Sequence, residues 1–146
     1  MRLTLLLHRN LDATTAILAT ALIHYQSPKY HEDAKKYFDG ILKRNKNNNT
    51  ALVGLGLILQ EQGDYEKALE FLTKALKLNP GSTKILSEAS WCRVLMQDYE
   101  EGKEGLEECL EQITGVDAQA RELKAQVLWR IGTSIWNADG MFQRYP

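Results

Sequence analysis

NTALVGLGLILQEQGDYEKALEFLTKALKLNP, residues 49–80, reads as two amphipathic helices joined by a turn. In the first half Leu52, Leu55, Gly56 and Leu59 fall on one helical face. After Gln62-Gly63-Asp64, the residues Ala68, Leu72, Ala75 and Leu76 do the same. Both sets follow the i, i+3, i+4, i+7 spacing of a helix with one buried side. Asn79-Pro80-Gly81-Ser82 then breaks the chain, because proline lacks a donor and glycine permits a turn. Glycine inside a helix costs about 1 kcal/mol relative to alanine. Gly56 is therefore expected where two helices approach closely, with Ala68 and Ala75 opposite. No segment alternates as a strand would.

The pattern repeats. Asp64-Tyr65-Glu66 recurs as Asp98-Tyr99-Glu100, an offset of 34. At that offset Ala68 maps forward to Gly102, Leu72 to Leu106 and Leu76 to Leu110, and backward to Ala34, Phe38 and Leu42. A fixed period of this length is the mark of a helical-hairpin solenoid. The expected repeats span about residues 15–48, 49–82 and 83–116, with a partial repeat over 117–146, about seven helices in all. Ser90 and Cys109 stand where Gly56 and Ala75 do, so small residues are kept. The first repeat has a good second helix (Ala34, Tyr37, Phe38, Ile41, Leu42). Its first helix diverges, with Leu22 at the Gly56 position and Ser27-Pro28-Lys29 in place of a tight turn. The last helix carries Leu128, Ile131, Gly132 and Ile135, and its register needs about eight extra residues after Ile113. Gly115 and Val116 are assigned to the loop and a lengthened helix starts at Asp117. Asp64 and Asp98 are expected N-caps, with Glu101 completing a capping box. A last helix bearing Trp129, Ile135 and Trp136 without a partner implies a piece of a longer solenoid.

Composition narrows the function. Of 146 residues, 44% are hydrophobic and 25% charged, ordinary for a folded soluble domain. A net charge of −1, from 18 basic and 19 acidic side chains, offers no general electrostatic case for a nucleic-acid backbone. The cluster Lys35, Lys36, Lys43, Arg44 and Lys46 fits the solvated outer face of a helix better than a phosphate site. Cys92 and Cys109 are too few for a disulfide framework and suit reduced, buried thiols. The opening apolar run stops at His8-Arg9-Asn10, too short for a signal peptide. His8, His24 and His31 show no zinc-ligand spacing. No nucleophile, acid–base pair, metal set or cofactor motif comes together, so no catalytic residue is assigned and an enzyme is not expected.

Residues 49–80 closely resemble a tetratricopeptide repeat: Leu55-Gly56 in the first helix, Gly63-Asp64-Tyr65 at the turn, Ala68 and Ala75 in the second, Asn79-Pro80 at the end. The resemblance implies an all-α right-handed solenoid whose first helices line a concave groove, and a non-catalytic scaffold that binds protein partners there. Carried onto this sequence, the groove positions are Ala19 and Ile23; Thr50, Val53 and Leu57; Lys84, Ser87, Glu88 and Trp91; and Gln126, Trp129, Arg130, Thr133 and Trp136. The tryptophans suit either interface anchors or packing between repeats. Chaperone-binding members of the family hold a C-terminal carboxylate with a clamp of Lys, Asn, Lys and Arg. The matching positions here are Ala19, Ile23, Gly54, Lys84 and Glu88, so no such clamp is expected.

Ser27-Pro28-Lys29-Tyr30, Ala34-Lys35-Lys36-Tyr37-Phe38 and Val53-Gly54-Leu55-Gly56-Leu57-Ile58 are similar to the large scaffold subunits of superkiller complexes. That similarity implies a cytoplasmic scaffold holding an RNA helicase and a WD-repeat protein, and feeding RNA to the exosome. Two alternatives stay open: a helical repeat that binds RNA directly, and a regulatory region of a larger enzyme.

Overall fold

In a computed structural model of the chain, the residues described are 12–13, 15–19 and 28–139. Residues 12–13 and 15–19 are helical. Six further helices are described: α1 (Pro28–Arg44), α2 (Asn49–Glu61), α3 (Tyr65–Leu78), α4 (Thr83–Leu95), α5 (Tyr99–Gln112) and α6 (Ala118–Ala138). No strand occurs among the described residues. Each helix packs on its predecessor, and α2 with α4, and α4 with α6, also touch across one side of the stack. The result is an all-α solenoid of helical hairpins. None of its described helices is long and apolar enough to cross a membrane.

The core runs along the stack as linked clusters instead of converging on one centre. Phe38, Ile41, Leu55 and Ile58 join α1 to α2; Leu59, Leu72, Ala89 and Cys92 join α2, α3 and α4; Val94, Leu106, Cys109 and Val127 join α4, α5 and α6. Gly56 lies where expected. A Cβ there would stand 2.7 Å from Leu72 Cγ and 3.3 Å from the Ala68 carbonyl oxygen. In the next hairpin the small residue changes sides. Ser90 occupies the Gly56 position, and the space comes from α5, where a Cβ on Gly102 would meet the Ser90 carbonyl oxygen at 2.9 Å and one on Gly105 would overlap Ser90 Oγ.

Recurring hydrogen bonds verify the register. Cys92 Sγ donates to the Tyr65 carbonyl (3.2 Å), and Ser134 Oγ donates to the Tyr99 carbonyl (3.2 Å). Tyr65 and Tyr99 are 34 apart but Cys92 and Ser134 are 42 apart, so α6 carries eight residues more than a regular repeat. The extra residues are helical: α6 has 21 residues where α4 has 13. Asp117 caps it, accepting from the Ala120 N–H at 2.8 Å.

Two details differ from expectation. Pro28 opens α1 instead of sitting in a turn; the fixed φ of proline suits a first helical turn, where no intrahelical donor is needed. Tyr37 is exposed, while Ala34, Phe38 and Ile41 form the buried face.

The hairpin turns of α2–α3 and α4–α5 are the same motif. The Asp64 N–H bonds the Leu59 carbonyl and the Gly63 N–H bonds that of Gln60; Asp98 with Arg93 and Gln97 with Val94 repeat this one period later. Both turns need a left-handed residue at the same place, Gly63 at φ +83° and Gln97 at φ +68°. A side chain in that region costs roughly 1–2 kcal/mol. The expected capping box at the second turn does not form. Asp98 makes no side-chain cap bond; it and Glu101 face Arg93 Nη1 at 3.5 and 2.7 Å. A guanidinium within reach of both carboxylates outcompetes the backbone amide. Gln97→Gly is expected to stabilise the chain by about 1 kcal/mol, and Gly63→Gln to destabilise it by about as much. Urea midpoints of the two variants against the parent check this.

Candidate functional site

The first helices α2, α4 and α6 present one side of the stack, and the groove residues expected there divide into three groups. Val53, Leu57 and Trp91 are half-buried, and Lys84, Trp129 and Trp136 are exposed. Glu88, Arg130 and Ser87 are buried. Ile23 lies outside the described residues.

The buried trio forms a junction between α4 and α6. Arg130 Nη2 donates to both carboxylate oxygens of Glu88, at 3.1 and 3.2 Å, and Nη1 donates to Ser87 Oγ at 3.0 Å. The guanidinium carbon lies 5.4 Å from the centroid of the Trp91 ring. Trp129 packs on Trp91 with centroids 5.5 Å apart and planes at 50°, within the range of favourable tilted aromatic pairs. The helical register explains the assembly. Once the eight extra residues are counted, Gly54, Glu88 and Arg130 occupy one position in three successive first helices. An acid and a base on adjacent rungs meet directly, roofed by an indole. On the rung before, Gly54 leaves room for Phe38, whose ring would overlap an added Cβ.

Glu88 thus faces Arg130 and does not project into the groove, and Gly54 serves packing. Residue-by-residue assignment of the groove missed both roles. The available signal was the opposite charge of Glu88 and Arg130 at equivalent positions.

Among the described residues, the site holds no exposed acid–base or nucleophilic set. What it offers is an exposed indole, Trp129 at 63% of its full accessibility, packed on Trp91, which Arg130 contacts in turn. Of the basic cluster on α1, Arg44 is taken by Asp12, donating to Oδ1 from Nε at 2.9 Å, and Lys36 lies 3.9 Å from Asp33. No group of three or more metal-ligating side chains occurs among the described residues. His31 is buried on α1 with Nε2 unpartnered. Burial pushes the thiol of Cys92 up to about 11 and that of Cys109 to about 12; neighbouring Glu88 and Glu108 add to the respective shifts.

A family model described as tetratricopeptide repeat matches residues 50–82. The chain carries a tetratricopeptide repeat there. Over 113 residues it is 33% identical to Superkiller protein 3 of Saccharomyces cerevisiae, covering 77% of this chain and 8% of that one. To Superkiller protein 3 of Schizosaccharomyces pombe it is 30% identical over 131 residues, covering 87% and 9%. The chain therefore spans less than a tenth of the length of these curated relatives. Among solved structures, the type III secretion translocator chaperone SycD of Yersinia enterocolitica superposes with a TM-score of 0.73 at 22% identity, over 87% of this chain and 85% of that one. At that identity the similarity speaks for the tetratricopeptide fold alone.

Two outcomes follow from the geometry. Glu88→Ala leaves Arg130 buried without its carboxylate and is expected to cost about 3–5 kcal/mol, while the double change Glu88→Met with Arg130→Leu is expected to be close to neutral; urea denaturation of the single and double variants measures both. The cysteine thiols have folded pKa values raised above the ordinary 9.0. Their contribution to stability is complete below about pH 9 and is lost as pH rises toward 11–12. At pH 8 the native protein is expected to leave both thiols unmodified by a disulfide reagent, and to yield two per chain in denaturant.

Proposed function

We propose that this chain is part of a non-catalytic, cytoplasmic scaffold of the superkiller type, whose inner surface holds an extended segment of a partner protein. Its partners on this proposal are an RNA helicase and a WD-repeat protein. The observation that carries the proposal is the Trp129–Trp91–Arg130 stack. It presents a large, mostly exposed side chain that packs on a second indole, on the side of the solenoid where the first helices meet. Tryptophan is a favoured interface anchor because it buries much area and keeps a polar N–H. Pre-ordering such an anchor removes an entropic cost of roughly 0.5–1.5 kcal/mol per side chain from binding. The identity to two Superkiller protein 3 sequences over three quarters or more of the chain supports the choice of complex.

Direct RNA binding draws less support. Lys36 and Arg44 of the basic cluster on α1 already face carboxylates, and the overall charge is balanced. A chaperone-tail clamp is also disfavoured: at its matching described positions Lys84 is exposed and cationic, while Glu88 is bound to Arg130 and Gly54 carries no side chain.

Trp129→Ala tests the proposal cleanly because this indole is mostly exposed, whereas Trp91 is half-buried and packs against the core cluster of α4, α5 and α6. With purified helicase and WD-repeat subunits of a superkiller complex, the parent chain is expected to bind at least one. Removing Trp129 is expected to weaken that binding about tenfold or more, as loss of an anchor worth about 2 kcal/mol does. Absence of binding to either subunit would set the proposal aside. Equal binding by both forms would move the interface away from this stack.

A further inference from the structure

α3 and α5 hold the same place in successive hairpins, and the offset of 34 pairs their residues one to one. The buried stripe is kept: Ala68, Leu72 and Ala75 in α3, Gly102, Leu106 and Cys109 in α5. Its surroundings are not. Phe71, which packs against three core clusters, gives way to Gly105, and Leu69 to Lys103. α5 therefore has less apolar surface to bury, and it carries two glycines where α3 has none. The side-chain cap made by Asp64 is missing at Asp98, which faces Arg93. The charges are unfavourable as well. α3 carries two acids and three bases, whereas α5 carries six acids and one base, all six acids exposed. Lys67, Lys74 and Lys77 give way to Glu101, Glu108 and Glu111. Glu100, Glu104 and Glu108 repel one another at i, i+4, as do Glu107 and Glu111, and the last turn sets acids at the negative end of the helix dipole. Of the cations on the helices packed against α5, Arg93 pairs with Asp98 and Glu101, and Arg130 with Glu88. Lys84, Arg121 and Lys124 make no ion pair among the described residues.

We propose that α5 is a conformational gate in the stack: it detaches from α4 and α6 ahead of the other helices, and ionic strength sets how often. Segments with few apolar contacts open locally at a lower free energy than the whole domain. Salt screens the repulsion between exposed carboxylates and so holds the gate closed. The stack survives the opening because α4 and α6 also touch directly. Their bonds from Arg130 to Glu88 and Ser87, and the Trp91–Trp129 pair, do not pass through α5. Opening uncovers Val94 on α4 and Val127 on α6, which cluster with Leu106 and Cys109 when α5 is in place. α3 lacks this freedom, since Phe71 ties it into clusters that reach from α1 to α4.

Hydrogen exchange of the full chain, read by mass spectrometry in dilute buffer and in about 0.5 M sodium chloride, tests this. In dilute buffer the central amides of α5 are expected to exchange about tenfold or more faster than those of α3. Salt should narrow that gap by about threefold or more. Glu108→Lys combined with Glu111→Lys puts back the bases that α3 carries as Lys74 and Lys77. This variant should narrow the gap in dilute buffer and leave α3 unchanged. The thiols supply a second readout. In urea below the unfolding transition, Cys109 on α5 should react with a disulfide reagent before Cys92, which is held on α4 against the Tyr65 carbonyl. Protection of α5 equal to that of α3 or greater, or two thiols reacting together, would overturn the proposal. Faster exchange in α5 that neither salt nor the two lysines slow would overturn it as well, and would place the weakness in packing alone.

Discussion

Leu72 enters the space left by the missing side chain of Gly56, and much of the molecule depends on that kind of fit. A helix inside a solenoid must pack against its hairpin partner and against the neighbouring repeat together. Two helices carrying ordinary side chains stand about 8–10 Å apart; closer stacking requires a small residue at each crossing. The chain meets the requirement in different ways. In α2 the glycine is on the first helix and the leucine on the second. In the α4–α5 hairpin Ser90 is on the first helix and Gly102 and Gly105 lie opposite. Conserving the sum of volumes at a crossing, and not the residue at each position, keeps the repeat geometry while the sequence drifts.

Above that repeated framework one junction joins a single pair of rungs among the described residues. Between α4 and α6 the first helices are joined by the buried Arg130–Glu88 pair and the two indoles. A buried ion pair adds little net stability, since desolvation offsets the attraction. Its effect is on geometry: two fixed hydrogen-bonding groups accept one separation and one rotation of the helices, where apolar contacts would accept several. The junction sits beside the repeat with eight extra residues, where the regular spacing gives no guidance.

The hairpins were legible because their signals are local and periodic. Leu52, Leu55, Gly56 and Leu59 announce a helix face by spacing alone, and the constant period extends it to the neighbours. Even the eight-residue shift could be read from Ile131-Gly132. What stayed hidden depends on which side chains the fold brings together. Glu88 and Arg130 are far apart in sequence, and each alone reads as a polar groove residue. Asp98 looks like half of a capping box until Arg93 competes for it. Gly54 looks like a clamp position until Phe38 is seen against it. In each case a neighbour supplied by the fold overrides the local preference.

A solenoid can be regarded as a coil spring, with hairpins as turns and the contacts between first helices as the material that resists opening. The Arg130–Glu88 junction makes that resistance uneven. Opening the coil between α2 and α4 separates side chains that slide and re-pack gradually. Opening it between α4 and α6 requires breaking three directional hydrogen bonds and uncovering a guanidinium together. The α4–α6 contact is therefore the more directional of the two: it opens as a unit, while the apolar contact between α2 and α4 can give way by degrees.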